Sequence, residues 1–67
     1  MMVKMFITKE TRTPVVINKE VNGSYSAYEA HTRGEGGNKV ILNNVWCPHW
    51  LEETLHNIYD EELIREV

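Results

Sequence analysis

Val3, Met5 and Ile7 alternate with Lys4, Phe6 and Thr8 near the start of the chain, the two-residue period of a β-strand. Phe6 makes the second face apolar as well, so this strand is expected to be central or covered on both sides. Lys9 to Thr13 is polar and ends at Pro14, which cannot continue a ladder, so the segment reads as a turn. Asn22-Gly23 is the sharpest local signal, because both residues tolerate the positive φ that a type I′ hairpin turn requires. A two-residue loop there predicts Val21 opposite Ser24, Ile17 opposite Tyr28 and Val15 opposite Ala30. That register places Val15, Ile17, Val21, Tyr28 and Ala30 on a core face. It leaves Val16, Asn18, Glu20, Tyr25, Ala27 and Glu29 on the other face. Lys39 to Leu42 predicts a short fourth strand, and Asn43-Asn44 a turn leading out of it.

The period changes after Val45. Pro48 suits the first position of a helix, where its missing N–H costs nothing. Cys47 then becomes the N-cap, and Trp46 and Leu51 have the spacing of a hydrophobic staple. Glu52 and Glu53 follow near the positive end of the helix dipole. Leu51, Leu55, Ile58, Tyr59 and Leu63 form one apolar stripe at helical spacing. The helix is expected to run to about Arg65, or to break near Asp60 and start a short second helix. The simplest architecture is α+β, in the order ββββα. A small antiparallel sheet of three to four strands packs against one C-terminal helix, as a single domain over 1–67.

A chain of 67 residues supports one small core and marginal stability. Hydrophobic content of 42% and charged content of 25% fit a folded chain rather than a disordered one. One cysteine permits no internal disulfide, and a lone thiol suits a reducing compartment, so the cytoplasm is expected. No apolar run approaches the ~20 residues of a membrane span, and Met1 to Thr8 is too short, with Lys4 inside it, for a signal peptide. The net charge of −3 conceals an asymmetry. Six basic residues oppose four acidic ones from Met1 to Cys47, whereas Arg65 alone opposes six acidic residues from Pro48 onward. No basic stripe of a duplex-binding protein is visible, and the acidic helix half points to a basic or mixed partner, or to solubility.

Three stretches carry candidate chemistry. His31 to Asn38 contains Gly34, Gly36 and Gly37, but their spacing matches no phosphate-cradling pattern and a strand follows, so a hairpin loop is expected. His49, Glu53, His56 and Asp60 recur at steps of four, three and four along one helix face. With Cys47 at one end and His31 as an outside ligand, they could supply donors to zinc; ligands on one straight helix rarely close a tetrahedron, so a solvated polar face is the stronger reading. Trp46-Cys47-Pro48-His49-Trp50 locally resembles the active-site turn of thioredoxin-superfamily disulfide oxidoreductases, where an aromatic residue precedes a Cys-Pro-His-Cys-type motif. The resemblance implies a thiolate at Cys47 stabilised by the helix N-terminus. Trp50 stands where the resolving cysteine belongs, and fewer than twenty residues follow His49, too few for the later strands of that fold. A cysteine–histidine hydrolase lacks an indicated third group or oxyanion site.

The sequence therefore favours a non-enzymatic protein-binding module, a regulator or inhibitor that occludes a site on a larger protein. Small acidic phage and mobile-element proteins offer an analogy of size and charge. Two surfaces are expected to bind: the acidic helix face with Glu52, Glu53, His56, Asp60, Glu61 and Trp50, and the outer sheet face with Phe6, Val16 and Tyr25. The sheet face would equally suit a second copy of the chain. Stacking of single-stranded nucleic acid on those rings is a further alternative, disfavoured by Glu20 and Glu29 on the same face.

Overall fold

The computed structural model describes residues 1–30 and 39–66. Strands β1 (Met2–Thr8), β2 (Pro14–Lys19), β3 (Tyr25–Glu29) and β4 (Lys39–Val45) precede helix α1 (Pro48–Tyr59), and a short strand β5 (Leu63–Arg65) follows it. All described pairings are antiparallel and the strand order is β4-β3-β2-β1-β5. The α+β arrangement expected from the sequence is present, with one strand more than expected. The loop expected over His31 to Asn38 lies outside the described residues.

Helix α1 begins as its sequence dictates. Cys47 is the N-cap in extended conformation, Pro48 occupies the first turn, and the Cys47 carbonyl accepts the Leu51 N–H at 3.1 Å. The helix breaks at Asp60, the second of the two expectations, but a strand rather than a short second helix follows. Asp60 turns left-handed (φ 54°, ψ 37°) as the C-cap and donates its N–H to the His56 carbonyl at 2.9 Å. An αL cap is open to Asp at modest cost, and it redirects the chain. Leu63 to Arg65 then pair with β1 rather than extending a helix: Ile7 faces Ile64 and Thr8 faces Leu63.

The β2–β3 hairpin closes one residue differently from the expected register. Glu20 donates to the Ser24 carbonyl at 2.7 Å and accepts from Gly23 at 3.0 Å, so the loop is Val21-Asn22-Gly23. Gly23 has φ +93°, whereas Asn22 is not in the positive-φ region. A type I′ turn needs both central residues there; one glycine suffices for a three-residue loop. Asn22 instead bends locally, its Oδ1 accepting the Ser24 N–H at 3.0 Å.

The slip of one residue turns β3 over relative to β2. Val15 now faces Glu29, Ile17 faces Ala27 and Lys19 faces Tyr25. The core accordingly comprises Phe6, Val15, Ile17 and Ala27 from the sheet with Leu51 and Leu55 from the helix. Tyr25, Leu42, Val45, Tyr59 and Leu63 pack around them. Val21, expected inside, is fully exposed at the hairpin tip, and Tyr28 lies on the side away from the helix. Ile58, expected in the core stripe, is half exposed. Asn43 and Asn44 form no turn; they belong to β4 at a register shift, with Asn44 at φ 55°.

Candidate functional site

The carboxylates of the acidic helix half are largely engaged within the molecule. Glu52 pairs with Lys4 of β1, both side chains about two-thirds covered. Glu53 lies 3.2 Å from Nε2 of His49, one turn back on the exposed face. Glu62 stands 3.7 Å from Lys9. Glu61 is the most committed. Its Oε1 accepts the backbone N–H groups of Glu10 (2.7 Å) and Thr11 (3.0 Å), and its Oε2 accepts the Thr11 hydroxyl at 2.8 Å. Those donors hold its carboxyl below the usual carboxylate range, led by the Thr11 backbone bond. This carboxylate clamps the β1–β2 turn to the segment before β5, which is a structural task.

The candidate metal donors do not converge. Among the described residues no group of three or more His, Cys, Asp or Glu side chains is placed to hold a metal ion. His49 meets only Glu53, and Asp60 leaves the helical stripe at its left-handed cap. Cys47 is exposed at the N-cap and its side chain makes no cap bond.

The outer sheet face also has a different membership. Phe6, at 6% exposure, is a core residue, and Tyr25 packs on the helix side with Lys19 Nζ 5.9 Å from its ring centroid. Neither belongs to the open face, so the platform of stacking rings expected there does not form. Val16 does lie on it, between Met5 and Tyr28 across the strands. Tyr28 donates its hydroxyl to Glu20 at 2.8 Å, which lowers the Glu20 pKa after the larger contribution of Ser26.

A surface that the sequence reading undervalued lies at one end of the molecule. There β1 and β3 begin, β2 and β4 end, and α1 begins. Exposed there are Met2, Val21, Trp46 and Trp50, the two indoles at 65% and 69%. Trp46 is not the buried staple its spacing suggested. Its ring approaches the hairpin turn, with Cζ3 3.7 Å from where a Gly23 Cβ would stand. The turn thus presents the indole outward. Trp50 lies on the helix flank opposite Glu52, the residue that pairs with Lys4 of β1. The asparagines near this end have their side-chain oxygens engaged. Asn43 Oδ1 accepts from the Ser26 hydroxyl at 2.9 Å, and Asn22 Oδ1 from the Ser24 hydroxyl at 2.7 Å. The available signal in the sequence was two tryptophans four residues apart at a helix start, which has an equally good structural explanation.

No helix among the described residues is long and apolar enough to cross a membrane. No protein-family model, curated protein or solved structure matches the chain.

Proposed function

We propose that this chain is a small protein-binding module, a regulator or inhibitor that covers a site on a larger protein and performs no catalysis of its own. The observation that carries this reading is the exposure of Trp46 and Trp50 beside Val21 at one end of the fold. Tryptophan is the residue type most enriched among interface hot spots, and leaving two such rings in water is unfavourable unless something covers them. Each ring offers on the order of 150 Å² of apolar surface. A standard interface buries about 800 Å² per partner, so the indoles act as anchors and the surrounding loop supplies the rim. Rigid aromatic anchors with adaptable Asn, Ser and Gly neighbours are also the chemistry of antibody paratopes. Asn22, Gly23, Asn43 and Asn44 provide that setting here.

The test compares wild type with Trp46→Ala, Trp50→Ala and the double variant. Melting temperature and partner capture from the host lysate are read together. Unchanged folding with capture lost in the double variant is the expected result. Full capture by a folded double variant would overturn the reading.

A further inference from the structure

We propose that the uncovered face of the sheet docks a cationic amphipathic helix of a partner protein. This interface is distinct from the aromatic end. Two apolar rows cross that face. The first joins Val40, Tyr28, Val16 and Met5, which are successive cross-strand partners. The second joins Ala30, Pro14, Ile7 and Ile64. None of these eight residues packs against the helix-side core, and no described element lies over them. They are part-buried by one another, apart from Val40, which is half exposed.

The charges on the sheet are sorted between its faces. Lys4 faces Ile17, Lys19 faces Tyr25, Lys39 faces Glu29 and Arg65 faces Phe6, so all four strand cations fall on the helix side. On the open side stand Glu20, beside Tyr28, and Glu66, which continues the first row by donating its N–H to Met5. The open face is therefore apolar with carboxylates at its margin. A second copy of the chain would bring the same carboxylates against it, whereas Lys or Arg flanking an apolar stripe complements it.

Size and edge structure select a helix as the docking element. Val40 to Met5 spans three strand spacings, about 14 Å, and a helix with its side chains is about 10–12 Å across. Addition of a strand is the less suitable mode. Edge strand β4 carries two register shifts, and edge strand β5 has only three residues. A helix laid on the open face would complete a helix–sheet–helix sandwich.

The probe is a synthetic leucine–lysine peptide of about 18 residues with leucines at helical spacing, beside a leucine–glutamate peptide of the same pattern. Methyl NMR follows Met5, Ile7, Val16, Val40 and Ile64, while the indole N–H signals report on Trp46 and Trp50. Saturable shifts at those methyls with the lysine peptide are expected, weaker at high salt. Val40→Lys should reduce affinity about tenfold, and Glu66→Lys should reduce it with a shallower salt dependence. Trp46→Ala should leave it unchanged, which separates this proposal from the preceding one. Equal binding of the glutamate peptide would overturn the proposal. So would shifts confined to the indoles, no binding, or concentration-dependent shifts of the same methyls without peptide.

Discussion

Glu61 holds Thr11 by two bonds, one to its backbone N–H at 3.0 Å and one to its hydroxyl at 2.8 Å, across fifty positions of sequence. The contact joins the segment before β5 to the β1–β2 turn, beside the Glu10 N–H bond to the same carboxylate, the Lys9 N–H bond to the Glu62 carbonyl at 2.9 Å and the Lys9–Glu62 ion pair, while β5 itself is held by its ladder with β1. Folding depresses the Glu61 pKa, so its contribution is present above the unfolded value near 4.5 and disappears as pH falls through the lower folded value. Glu20 behaves in the same direction through Ser26 and Tyr28. Glu61→Gln should therefore lower the melting temperature at neutral pH and flatten its acid dependence below about pH 4.5. Circular dichroism melts at pH 7 and pH 3 check this. A variant that loses as much stability on acidification as wild type would show that Glu61 is not the titrating clamp.

Gly23 has a backbone requirement rather than a steric one. Its φ is +93°, and an added Cβ would meet Trp46 at 3.7 Å, an ordinary contact. Gly23→Ala should thus cost about 1–2 kcal/mol through the left-handed backbone, and Gly23→Asn less, because Asn tolerates that region. Urea melts of the two variants give the comparison. Equal destabilisation by both would point to a clash at the indole instead.

The hairpin also shows where the sequence stops being legible. Asn22-Gly23 identified the turn, yet the identical dipeptide fits a two-residue and a three-residue loop. Alternation along β2 and β3 could not decide between them, since Tyr25, Ala27 and Tyr28 are all acceptable in a core. One residue of slip then exchanged Tyr25 and Tyr28 between faces and took Tyr25 out of the expected binding surface. Pro48 and Cys47, by contrast, located the helix start correctly because proline has one favourable helical position. The end of α1 was ambiguous because Leu63 continues the apolar spacing of a helix while pairing in fact with Thr8. The charge segregation on the sheet became visible only once the register was known.

Leu51 and Leu55 are fully buried and are the helix's share of the core. Truncation to Ala at either site should cost about 2–5 kcal/mol, lost transfer energy plus the cavity left behind. A domain this small holds only about 3–5 kcal/mol in a single core, so either variant should be largely unfolded at room temperature. Ile58→Ala, at a half-exposed site on the same helix, should leave the fold intact. Amide proton dispersion distinguishes these outcomes. A well-dispersed spectrum for Leu51→Ala would mean that the sheet holds together without its helix.

Tyr59 completes the helix–sheet contact by donating its hydroxyl to Oε2 of Glu29 at 2.7 Å. Burial first, and the Glu29 carboxylate second, push its pKa well above the ordinary value of 10.0. The folded state therefore favours the neutral phenol. Its stabilising contribution is complete below the unfolded pKa and is lost as pH rises above about 10, where the unfolded chain ionises first. Wild type should consequently lose stability between about pH 10 and 12. Tyr59→Phe removes that titration and the bond together. It should be less stable at neutral pH by about 1 kcal/mol, with a flatter alkaline limb than wild type. Chemical denaturation at pH 7 and pH 11 measures both quantities on the same two proteins. Parallel alkaline limbs would assign the loss to Tyr28 instead, whose hydroxyl bonds Glu20.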